Sequence, residues 1–289
     1  MRRQTAEYLA EEHGTFWFSP GVVVMKLHRF GPRDGWRVFT GEVGVIVLGV
    51  LIALVAQQTA ENWQWRQTVA RIKSDLNAQL SAAVGSSAER AAVDPCLSQR
   101  LSELATKVAA SRGEWKGDAY ILPGELSVKE VVRYAVPRVY RTPVRTFPDD
   151  VWQQAKASGV LTHMTPADIA LYADAFAGVS ALRSSSEPEQ ELQAELSFLA
   201  FDGPLSPSDR ARALSTISRL DQINRNTLNN ASQLVEAARA VGASLAAADE
   251  KMLFEYLDIQ RRFRGACVDR AATIKLIAPI RAAGAIRTQ

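Results

Sequence analysis

The sequence predicts an all-α protein: a single N-terminal transmembrane helix that continues into an irregular helical bundle. Three observations predict it. Val43 to Ala56 reads VGVIVLGVLIALVA with no polar side chain, apolar residues recur at helical spacing through most of the remaining chain, and the period-two alternation of strands is almost absent.

Composition sets the frame. At 289 residues, 47% hydrophobic and 22% charged, the chain has the balance of a protein that buries a core, not of a disordered one. Lys and Arg number 34 against 31 Asp and Glu, a net charge of +3, which lacks the broad basic footprint of nucleic-acid binders and excludes that class. The exception is the C-terminal stretch, where Arg261, Arg262, Arg264, Arg270, Lys275, Arg281 and Arg287 face Asp269 as the local acid. Such a run reads first as a solvated helix face, and second as a contact for anionic lipid or an acidic partner.

The apolar run alone makes about 21 Å of helix, short of a hydrocarbon core of about 30 Å. Trp36, Val38 and Phe39 extend it upstream and Thr59 and Ala60 downstream, while Trp36 opposite Trp63 and Trp65 gives two interfacial aromatic belts. The effective span is then about 25 residues, and the expected division is a cytoplasmic segment over 1–35, an anchor over 36–62 and a helical domain over 63–289. No small-x-small cleavage site follows Ala56, so the segment is expected to stay attached. Lys26, Arg29, Arg33 and Arg37 before the span, against Arg66, Arg71 and Lys73 after it, place the N-terminus in the cytoplasm and the domain outside. The acidic EYLAEEHG and apolar FWFSPGVVV of the leader are unusual, and MKLHRFGPRDGW from Met25 reads as a conventional start. Glu42 at the inner end reads as a snorkelling carboxylate. Gly49, Ala53, Ala56 and Ala60 form a small-residue stripe beside Gln57, a candidate homodimer face.

Beyond Trp65, Val69, Ile72, Leu76, Leu80 and Val84 continue the helix as a stalk, expected to end between Gly85 and Asp94. Asp94-Pro95 then has the form of an N-cap and first helical proline, so Leu97, Leu101, Leu104 and Val108 should line a second helix folded back on the stalk. Residues 112–126 read as a loop, Ser127 and Glu130 as a capping box, and Pro137, Pro143 and Pro148 as repeated breaks. This irregular 112–150 patch is where a binding groove is expected. Pro148-Asp149-Asp150, Thr165-Pro166-Ala167-Asp168 and Ser206-Pro207-Ser208-Asp209 each read as a helix start with an acid in the first turn, and Gly159 as a C-cap. Glu187-Pro188-Glu189 reads as a further start. Helices are expected from Pro207 to about Ala240, from Ser244 to Arg264 and towards Ile280, with short connections favouring antiparallel neighbours.

Chemistry is poorly supplied. His163 stands apart in Leu161-Thr162-His163-Met164, His13 and His28 fall on the cytoplasmic side, and no phosphate loop, nucleophile elbow or HExxH helix occurs. No catalytic residue, metal ligand or cofactor is therefore expected, and the paired acids read as helix-start charges. Trp152, Tyr134 and Tyr140 read as core before pocket. Cys96 and Cys267 are either a disulfide, which an oxidising compartment would favour, or two buried thiols.

The stretch GWRVFTGEVGVIVLGVLIALVAQQTAENWQWRQ, through Gly41-Glu42, Ala53-Leu54, Gln57-Gln58 and Asn62-Trp63, resembles a bacterial family of single-pass proteins without an established activity. RTFPDDVWQQAKASGVL is similar to the same family's second hallmark at Trp152, Ser158 and Gly159. The resemblance implies an inner-membrane anchor with a helical periplasmic domain. The expectation is a non-enzymatic, membrane-anchored protein that offers this domain to an envelope partner. The alternative is a small-ligand sensor with its groove around 112–150 that signals through a membrane partner.

Overall fold

The computed structural model describes residues 35–119 and 137–287. The leader with Met25, His13 and His28, the Ser127 and Glu130 capping box, Tyr134, and the side chain of Trp36 lie outside the described residues. The chain divides into two compact units, Met1–Thr59 and Ala60–Gln289.

Among the described residues there are six α-helices: α1 (Gly35–Ala110), α2 (Asp150–Ala157), α3 (Pro166–Glu195), α4 (Pro207–Ala240), α5 (Ala247–Arg264) and α6 (Arg270–Arg287). Two short strands, β1 (Glu114–Trp115) and β2 (Gly203–Pro204), pair antiparallel. The protein is all-α.

In the first unit, α1 carries its apolar run with no burial at all. Val45 is 72% and Ile46 66% exposed, so this stretch is not a core helix, and it is long and apolar enough to cross a membrane.

The expected break near Gly85 to Asp94 does not occur: α1 runs unbroken through Pro95. Proline lacks the N–H that would bond the Ala91 carbonyl and its ring crowds that turn. A neighbouring element bonds to the adjacent turns: the Ala92 carbonyl accepts from the Asp269 N–H at 2.8 Å, and the Ala88 carbonyl from the Thr273 hydroxyl at 3.1 Å. The loop-like composition also has a packing cause. Ala83, Ser87, Ala88 and Ala92 are buried where several helices press on the same turns, and small side chains permit that approach. Leu97, Leu101, Leu104 and Val108 are buried as expected, but on the same helix.

Glu187-Pro188-Glu189 also departs from expectation: it lies inside α3 and starts no helix. Pro188 removes the N–H that would bond the Ser184 carbonyl, and in the same turns the Ser185 and Ser186 hydroxyls bond the carbonyls of Ala181 (2.9 Å) and Arg183 (2.8 Å). The other starts form where the sequence puts them. Thr165 and Ser206 each accept the N–H of the aspartate three residues on, at 3.1 Å, and donate to its carboxylate at 2.7 Å. Only the first differs: α2 begins at Asp150, and Asp149 makes no side-chain cap bond. Gly159 follows α2 at φ 75°, a left-handed turn that suits glycine.

Cross-helix bonds give the architecture of the second unit. Lys73 meets Asp168 and Asn77 meets Tyr172, and further along Arg90 meets Glu189, so α3 runs parallel to α1. Arg90 with Asn224 and Ser111 with Arg210 run in opposite order, so α4 is antiparallel. By the same reading α5 is parallel, through Ser81 with Asp249 and Glu89 with Gln260, and α6 is antiparallel. Two antiparallel hairpins, α3–α4 and α5–α6, therefore pack on a shared helix. Leu76, Leu80, Leu97, Leu101, Leu182, Leu220 and Leu234 fill the core between them.

Candidate functional site

Adjacent residues of α1, Glu89 and Arg90, point about 100° apart, as helix geometry requires, and each anchors a separate polar cluster. Arg90 forms a buried ion pair with Glu189 of α3, and its Nη2 donates to Asn224 Oδ1 of α4 at 2.5 Å. Asn224 bonds the Tyr140 hydroxyl (2.9 Å), and the second Glu189 oxygen accepts from Thr142 (3.0 Å), which in turn accepts from Gln193 (2.8 Å). Burial pushes the Tyr140 phenol up to about 12, so it stays neutral at physiological pH.

The second cluster faces α5. Glu89, whose side chain is 1% exposed, accepts two bonds from Arg145, at 2.5 and 2.9 Å, and one from Gln260 at 3.0 Å. The Arg145 guanidinium also lies 4.5 Å from the Tyr256 ring centre.

Between the clusters runs the irregular segment 137–149, whose Val139 and Tyr140 are fully buried. Buried carbonyls need donors, and arginines from three helices supply them: Arg100 to Val139 (2.8 Å), Arg264 to Arg141 (2.9 Å) and Arg183 to Phe147 (2.6 and 3.0 Å). The described end of the 112–150 patch is thus a strap pinned into the bundle. Residues 120–136 lie outside the described residues.

An open cavity of about 310 Å³ lies between α1 and α5, with Arg145 of the strap at its rim. Leu245, Met252, Leu253 and Tyr256 form its apolar wall, and Ala82 and Gly85 part of its floor. A separate groove of about 520 Å³ between α1, α4 and α6 passes over Pro95 and Asp94. Burial raises the Asp94 carboxyl above its ordinary range, against the opposing pull of Arg90.

The remaining predicted residues fall as follows. Cys96 and Cys267 are joined, with sulfurs 2.05 Å apart and Cα atoms 5.1 Å apart. Gly49, Ala53, Ala56, Gln57 and Ala60 are all exposed on α1. Trp63 is exposed; Trp65 stacks on His163 with ring centres 3.8 Å apart. Trp152 and Tyr140 are core residues. Arg270 and Arg281 of the basic stretch pair with Asp258 and Glu250 of α5. Among the described residues no group of three or more His, Cys, Asp or Glu is placed to hold a metal ion. Sequence reasoning missed the clusters around Glu89 and Arg90. Their available signal was a charged pair within a stretch of alanines and serines, where a solvated surface would carry more charge.

Comparison with protein-family models, with curated proteins and with solved structures gives no match. The family resemblance of the anchor motif rests on those residues alone.

Proposed function

We propose that this is a single-pass inner-membrane protein, N-terminus in the cytoplasm, that presents its helical domain in the periplasm to an envelope partner and performs no chemistry of its own. The observation that carries the reading is the wholly exposed apolar run of α1, where exposed large hydrophobic residues follow closely on one another, whereas elsewhere among the described residues they are scattered. Exposed apolar surface on that scale needs a cover, and a bilayer is the cover that its length suits. The joined Cys96 and Cys267 support an oxidising compartment for the domain. The ionised groups at its centre are paired with one another, which suits holding helices in register more than proton transfer. The exposed stripe from Gly49 to Ala60 fits a homodimer through the membrane helix.

A test reads reporter fusions after Gly35 and after Gln289 together with thiol labelling of Cys96 and Cys267. The expected result is an inside N-terminus, an outside C-terminus and thiols that label only after reduction. A cytoplasmic C-terminus sinks the orientation, and a protein that leaves the membrane fraction without detergent sinks the anchor.

A second reading, a small-ligand module, is favoured by one observation: the cavity of about 310 Å³ beside Arg145 has the size and apolar lining of small-molecule sites.

A further inference from the structure

We infer that the cavity between α1 and α5 binds a short organic amine with an apolar body. The inference rests on the ligand-module reading and names the ligand's chemistry.

The floor gives the first argument. Gly85 lies in the interior of α1, where glycine is less favourable than alanine. Close helix packing usually explains such a glycine, yet a Cβ built there would meet nothing within 4 Å. What the missing side chain leaves open is the cavity itself. Its volume of about 310 Å³ lies at the lower end of the range of small-molecule sites. Met252 (48% exposed) and Tyr256 (39% exposed), one turn apart on α5, stand at the cavity wall. Flexible methionine and a rigid aromatic ring are side chains that accommodate apolar ligands.

Charge selects the head group. The cavity is lined by two carboxylates, Glu89 and Asp249, and one guanidinium, Arg145. Arg145 is spent on Glu89, which it grips with two hydrogen bonds. Asp249 accepts a bond of 3.4 Å from the Ser81 hydroxyl, so the surplus charge of the cavity is its carboxylate. The amino end of α5 favours negative charge, but Asp249 already sits in that first turn, and a second anion would face it. An ammonium group gains a charge-assisted bond to Asp249 while its carbon chain lies along Leu245, Met252 and Leu253.

The test uses the full-length protein in nanodiscs of zwitterionic lipid at neutral pH. Ligand-observed NMR measures affinity for n-hexylamine, 1-hexanol and hexanoate in the wild type, Gly85→Leu and Asp249→Asn. Gly85→Leu adds a side chain at a position where a Cβ meets nothing within 4 Å and which lines the cavity, and Asp249→Asn removes the charge at constant size. Hexylamine is expected to bind about tenfold or more tighter than the other two, a gap of about 1.4 kcal/mol. Gly85→Leu is expected to abolish that binding, and Asp249→Asn to bring hexylamine to the level of hexanol. Equal or tighter binding of hexanol or hexanoate, lost in Gly85→Leu, overturns the amine and leaves a ligand module. No wild-type binding beyond that of Gly85→Leu for any of the three overturns both.

Discussion

Arg90 and Glu189 are both buried, and neither could stand there alone. Taking an ion out of water costs several kcal/mol, and only good geometry with further hydrogen bonds compensates. Asn224 and Thr142 supply further hydrogen bonds to the pair, while the buried Arg90 Nη1 has no partner among the described residues. The expected energetics are therefore asymmetric. Arg90→Met or Glu189→Leu alone should destabilise the domain by about 3–5 kcal/mol, since each leaves an uncompensated buried charge. The double variant should recover much of that loss, because two apolar side chains of similar volume need no partners. Denaturant unfolding of the four proteins measures the coupling; additive single losses would mean that the pair is not a unit. The neighbouring Glu89 has the same dependence on Arg145 and Gln260. Two side-by-side residues thus fix α1 against both hairpins.

Helix starts were legible because they are local chemistry: a hydroxyl, a proline and an acid within four residues specify their own hydrogen bonds. Thr165 and Ser206 behave accordingly. The two interior prolines were not legible, because local chemistry at Asp94-Pro95 and Glu187-Pro188 points to new helices. What accompanies the unbroken helix is tertiary: Asp269 and Thr273, far along the chain, donate to the Ala92 and Ala88 carbonyls in the turns beside Pro95. The strap was legible as irregular but not as buried, since its partners Arg100, Arg183 and Arg264 sit on three separate helices. The start of α3 also makes a measurable pH dependence. The Lys73 ammonium beside Asp168, and then the Thr165 hydroxyl, hold that carboxyl below its ordinary range. A depressed folded value means that the interaction contributes stability above the unfolded aspartate value of about 3.9, and that this is lost as pH falls through the lower folded value. Asp168→Asn should therefore lower the Tm at pH 7 and converge with wild type as the pH drops below about 4. A Tm difference that persists unchanged at low pH would mean that Asp168 acts as a cap and not through its charge.

For the whole domain, the farthest-reaching covalent constraint is Cys96–Cys267, which closes a sequence separation of 171 residues. Chain entropy gives a loop of that length a stabilisation of about 5 kcal/mol, the upper end for a single disulfide. Its position adds a local role. Cys267 lies two residues before Asp269, whose N–H serves the Ala92 carbonyl next to the proline break, and Cys96 directly follows Pro95. The bridge therefore pins the head of α6 to the turns of α1 beside Pro95. Reduction, or Cys96→Ser with Cys267→Ser, should lower the Tm by about 10–20 °C, taking about 2–4 °C per kcal/mol for a domain of this size. Loss of loop closure alone acts on the unfolded chain and would leave native amide protection at its previous pattern. Loss of the pin should instead raise hydrogen exchange first in α6 and in the turns of α1 around Ala92, with the α3–α4 hairpin protected for longer. A Tm fall with uniformly raised exchange would assign the disulfide to chain entropy alone, and an unchanged Tm would mean that Arg270 and Arg281 suffice to hold α6 through Asp258 and Glu250.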